Sequence, residues 1–124
     1  MSGGDAGRGS DLRERAFEFA CAVMTVHRVV YRMAPDLRDA GRQAASAASS
    51  IGANLEEADA GQSRADFISK CNIALKEARE SRYWLRILCR LFEPEQERFN
   101  ELIAESTELI AILTTIVKKS RERT

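Results

Sequence analysis

From residue 11 onward, only Pro35, Pro94 and the step Gly61-Gln62 interrupt an apolar pattern that repeats at helical spacing. Proline lacks the backbone donor that a helix interior needs and clashes with the preceding turn, so each proline marks a place where a helix stops. Four long helical segments remain, and nothing reads as a strand. That confines the chain to an all-α, antiparallel up-down-up-down four-helix bundle with short connections. Asp11 is expected to cap the first helix, with Glu14 reaching back, and this helix runs to about Met33. Asp36 caps the second, over about Leu37 to Ala60. Ser63-Arg64-Ala65-Asp66 reads as a capping box for the third, which ends near Phe92. The fourth runs from about Glu95 to Lys119, and its Phe99, Leu102, Leu109 and Leu113 carry the clearest amphipathic signal. The expected organisation is a disordered arm over 1–10, the bundle over 11–119 and a frayed basic tail over 120–124.

Composition narrows the function classes. Nineteen basic residues balance nineteen acidic ones, so no global field draws the chain to nucleic acid or membrane. No stretch approaches the roughly 20 apolar residues of a membrane span, and the Gly-rich start lacks the apolar core of a signal peptide. Cys21, Cys71 and Cys89 fit neither a zinc site nor a redox motif, and read as reduced core thiols in the cytoplasm. Catalytic signatures are missing as well. The dimetal sites of helical bundles need paired Glu-x-x-His motifs, but the single His27 has Met24 three residues before it. His27 is expected at a surface or boundary. No phosphate loop, nucleophile elbow or credible triad is present, so the expectation is a protein without enzyme activity, cofactor or metal.

The informative residues concern how helices meet. Helix 1 carries Phe17, Cys21, Met24 and Tyr31 on one stripe and Phe19, Val23, Val26 and Val30 on its neighbour, more apolar face than one partner helix covers. The middle of helix 2, Ala44 to Ala53, is almost wholly small residues and permits close backbone approach. Beside it Gln43, Ser50, Asn54 and Glu57 form one polar stripe, read either as a solvated face or as a buried or subunit-facing seam. On helix 3, Glu77 falls near the apolar arc of Leu85, Leu88 and Phe92. It is expected, with Glu80, to join this seam and pair with a cation or amide. Trp84 reads as a core or interface anchor. Lys76, Arg79, Arg82, Arg86 and Arg90 cluster on the side opposite the apolar arc. They are either a solvated or ion-paired face, or a phosphate-binding stripe that gains weight when repeated around an oligomer. Tyr83 is the only exposed aromatic expected nearby.

Several runs carry a family likeness: Ser50-Ile51-Gly52-Ala53-Asn54-Leu55-Glu56-Glu57-Ala58, Asp66-Phe67-Ile68-Ser69-Lys70, Ile73-Ala74-Leu75-Lys76-Glu77-Ala78-Arg79-Glu80-Ser81 and Tyr83-Trp84-Leu85-Arg86-Ile87-Leu88. With Gln43 and Ser63, this stretch resembles the 23S ribosomal RNA intervening-sequence protein family. It departs at Ser46, where that family usually carries Arg. The resemblance implies a homopentameric four-helix bundle without enzyme activity. It also implies a relation to the accessory protein of diversity-generating retroelements, a pentamer that associates with reverse transcriptase and nucleic acid. The expected partners are therefore further copies of the chain and RNA, DNA or a reverse-transcriptase nucleoprotein. The alternative is a structural homo-oligomer with a protein partner.

Overall fold

The computed structural model describes the backbone of residues 4–60 and 63–123, with side chains from Asp11 onward. Four α-helices and no strand occur among the described residues: α1 Gly4–Met33, α2 Arg38–Asp59, α3 Arg64–Leu91 and α4 Gln96–Glu122. None is long and apolar enough to cross a membrane. α1 begins well before Asp11, which therefore lies inside the helix and caps nothing. A helix already nucleated extends at small cost per residue. Of the arm expected over 1–10, residues 1–3 lie outside the described residues and the backbone of the rest is helical. The basic tail is likewise helical as far as Glu122.

Each junction has its own chemistry. After α1, Pro35–Leu37 form a single 3-10 turn, and the residue preceding α2 is Leu37, which offers no side-chain cap. Asp36 sits within that turn, so its expected capping role is corrected. What holds the corner is Arg38, whose Nε donates to the Tyr31 carbonyl at 2.7 Å while its guanidinium lies 4.1 Å over the Tyr31 ring. Ser63 does cap α3, its Oγ accepting from the Asp66 N–H at 3.0 Å. The Gly61-Gln62 turn lies outside the described residues. Between α3 and α4, Glu95 adopts a left-handed φ of 66°. The Gln96 amide donates to the Cys89 and Phe92 carbonyls at 2.6 and 2.8 Å, satisfying acceptors that the end of α3 leaves open.

The helices run antiparallel in chain order. Arg13 near the start of α1 meets Asp59 at the end of α2, and His27 near the end of α1 meets Gly41 near the start of α2. The core takes Phe19, Val23 and Val30 from α1, Ile51 from α2, Leu85 and Leu88 from α3, and Phe99, Leu109 and Leu113 from α4. Burying each such side chain is worth about 1.5–3 kcal/mol. The two buried polar residues, Ser81 and Ser106, donate to carbonyls three residues back in their own helices, so neither is left unsatisfied. Packing is uneven around the bundle. α2 and α3 pack most extensively, and α1 and α4 least of the four neighbouring pairs.

Candidate assembly faces and nucleic-acid interface

α3 presents the basic stripe on the side away from the core, as its spacing requires. Lys76, Arg79, Arg86 and Arg90 are exposed. Arg82 departs from the expectation: it is half-buried, and its Nε is buried with no hydrogen-bond partner. Among the described residues, none of the five forms an ion pair. Arg86 and Arg90 make a ridge between two grooves. One, of about 580 Å³, is shared with Cys89, Glu93, Gln96 and Ile103, and the other, of about 320 Å³, with Tyr83, Ile87 and Leu91. Tyr83 and Leu91 are 57% and 61% exposed, so an aromatic ring and an aliphatic side chain stand beside the cations.

The polar seam is buried only in part. Gln43, Ser50, Asn54 and Glu77 are half-buried, whereas Glu57 and Glu80 are exposed. Asn54 is satisfied within its own helix, donating from Nδ2 to the Ser50 carbonyl and Oγ at 2.9 and 3.1 Å. Within the single chain none of Glu57, Glu77 and Glu80 pairs with Lys or Arg among the described residues, which leaves a subunit boundary as the place for the expected pairing. Glu77 lies at the edge of the apolar arc, where no cation of another helix reaches it. Its carboxyl is pushed above the ordinary range, mainly by burial and then by Glu80, with Lys76 opposing.

The two apolar stripes of α1 separate cleanly. Phe19, Val23, Val26 and Val30 are buried, while Phe17, Met24 and Tyr31 are 58%, 46% and 47% exposed. Cys21 lies exposed on the outer stripe and Cys89 is partly exposed, so only Cys71 is a core thiol, pushed up to about 11 by burial. Trp84 packs against the core from its edge.

Helix spacing could not reveal what α1 meets on its two flanks. On the α2 flank, the Gly41 backbone lies against the His27 ring so closely that a Cβ there would collide with Nδ1. That nitrogen is buried without a partner. Burial, and then the Arg42 charge, hold the imidazole below its usual pKa. On the α4 flank a groove of about 600 Å³ runs over Phe19, Ala22 and Leu102. Asp11, Glu14 and Glu18 of α1 and Glu101 and Glu105 of α4 line it. Arg15 crosses it, donating from Nε and Nη2 to Glu105 at 3.0 and 2.8 Å. The only advance signal was acidic spacing of three and four on α1 and α4, which alone describes any solvated face.

The 23S rRNA-intervening sequence protein family matches residues 9–115. A crystal structure of a protein of unknown function from the S23 ribosomal protein family of Bacteroides thetaiotaomicron is similar throughout: 36% identity, 86% of this chain and 98% of that one covered, TM-score 0.79. Comparison with functionally curated proteins gives no significant match. The family resemblance carried by residues 43–88 is borne out, and it extends over helices 1 and 4.

Proposed function

Because this chain belongs to the 23S rRNA-intervening sequence protein family, we propose that it is a non-enzymatic, self-associating bundle acting in the cytoplasm as a binding scaffold for nucleic acid. The observation that carries this reading is the α3 stripe: cations on one outward face, none neutralised within the chain among the described residues. Tyr83 and Leu91 beside Arg86 and Arg90 give a nucleobase a surface to stack on while guanidinium groups hold phosphate. One subunit supplies modest charge, and a ring multiplies it. The exposed apolar stripe of α1 is the surface for self-association, and a head-to-tail contact through it makes a ring where the rotation between copies closes. A homopentamer is the ring the family resemblance implies, and an RNA, a DNA or a reverse-transcriptase nucleoprotein is its client, as for a retroelement accessory protein.

Counterion release makes the test quantitative. Binding to single- or double-stranded RNA or DNA at ~50 mM salt should fall steeply, on logarithmic axes, as salt rises. Arg86→Glu with Arg90→Glu should abolish it, with the oligomer mass in ~500 mM salt unchanged. No binding by the wild type at low salt overturns the reading. A second reading, a structural homo-oligomer with a protein partner, is favoured by the solvent-facing Phe17, Met24, Tyr31 and Met33, because exposed apolar side chains on one helix mark protein contacts. Oligomer formation without nucleic-acid binding is the outcome that selects it.

A further inference from the structure

We propose that the acidic groove between α1 and α4 is the docking surface for the basic α3 face of a second copy of this chain. The inference shares the α3 stripe with the reading above but does not require that nucleic acid be bound. Its first ground is the segregation of charge. The chain is neutral, with nineteen cations against nineteen anions, yet it keeps two unlike faces unneutralised. Around the groove, Asp11, Glu14, Glu18 and Glu101 have no cation partner among the described residues, only Glu105 being taken by Arg15. On α3 the cations have no acidic partner among the described residues. These faces lie on opposite flanks of α4, one against Glu101, Leu102 and Glu105, the other against Gln96 and Ile103. Rigid helices prevent them from meeting within one copy, so the partner for each is on another.

Shape agrees with charge. A groove between two helices accepts the ridge of a third, and an amphipathic helix seats its apolar residues on the floor while its charges reach the rim. The floor here is Phe19, Ala22 and Leu102, and the α3 face carries the exposed Tyr83 among its arginines. From Lys76 to Arg90 the stripe is ~21 Å long and the α1 wall of the groove from Asp11 to Ala22 is ~16 Å, so the groove seats about three of the stripe's four turns. Arg15 already displays the local geometry, a guanidinium held by two parallel hydrogen bonds on a rim carboxylate. A metal ion is a poor substitute. No group of three or more His, Cys, Asp or Glu among the described residues converges closely enough to hold one. The rim therefore suits an extended row of cations. It also makes the groove of one copy a competitor of polyanions for the stripe of another.

The test is a charge exchange, read by sedimentation and light scattering on the full chain. Wild-type protein at ~50 mM salt should show association beyond its mass in ~500 mM salt, where exposed ion pairs are screened. A groove variant (Glu14→Lys, Glu18→Lys, Glu101→Lys) and a stripe variant (Arg79→Glu, Arg86→Glu, Arg90→Glu) should each lose this association while keeping their helical circular dichroism. An equimolar mixture of the two should regain it, because each then offers a surface opposite to the other's. Wild-type mass that does not change with salt overturns the proposal, and that measurement stands even if a variant misfolds. A groove variant that still associates like the wild type overturns it too, as does a folded mixture that fails to recover. Groove-dependent capture of a Lys/Arg-rich helical peptide with unchanged self-association would also overturn it, assigning the groove to a different protein. Recovery in the mixture without any nucleic-acid binding would remove only the reading above.

Discussion

α1 is held in opposite ways on its two flanks. Toward α2 it lies against glycine and alanine, with Gly41 under His27 and Gly52 under Ala16, so the backbones approach closely and side-chain shape decides the fit. Toward α4 it is held off by a charged groove and bridged by one guanidinium. The difference teaches where sequence change is tolerated. A close-packed flank responds to a single methyl group, whereas a polar flank tolerates large substitutions and responds instead to salt.

The sharpest way to break the contrast is Gly41→Ala. The new Cβ meets His27 Nδ1, and overpacking of this kind costs about 1–3 kcal/mol, measured by denaturant unfolding. Adding His27→Ala should recover most of the loss, since the collision needs both partners. Acid attacks the same contact. The folded state holds His27 below its ordinary pKa, so the unfolded chain binds the proton more tightly and stability is lost as pH falls below the usual imidazole range. The thermal midpoint should drop through that window, and His27→Leu should flatten the drop.

Gly52→Ala tests the other glycine of the flank, with the opposite sign. Its Cβ would rest 3.7 Å from the Ala16 Cβ, an ordinary contact, so helix propensity should raise stability by about 0.5–1 kcal/mol. On the α4 flank, Arg15→Ala should cost less than about 1 kcal/mol, with the loss shrinking in salt, because both partners of the bridge are partly solvated. The smallest effect belongs to Glu77 on α3. Its raised pKa means that the folded state favours the protonated form and gains stability as pH falls toward the ordinary carboxylate range. Glu77→Gln should therefore be slightly stabilising at neutral pH, by under ~0.5 kcal/mol after screening, and indistinguishable from wild type in acid.

Local signals were the legible ones. Ser63 and the two prolines placed helix ends, and the 3.6-residue spacing of Phe99 to Val117 put that helix face in the core. Which stripe of α1 would be buried was not legible, because Phe17-Met24-Tyr31 and Phe19-Val26-Val30 have equal claims until neighbours are placed. Asp36 misled because a 3-10 turn consumed the cap position. Glu77 is half-buried and not buried, because helical angle measures direction and not depth. The α1–α4 groove was invisible for a different reason. Its walls come from segments some ninety residues apart, as Arg15 and Glu105 show, and no periodicity within either helix reports their meeting.

The uneven packing also sets an order of events in time. α2 and α3 are adjacent in sequence and share the most extensive contact, so the hairpin they form closes a short loop and is favoured as an early folding unit. α1 and α4 must bring the two ends of the chain together across the least-packed boundary, and are expected to do so last. Run in reverse, that boundary parts first. Amides on α1 and α4 along the groove should exchange with solvent through small sub-global openings, while those of α2 and α3 should wait for the whole molecule to unfold.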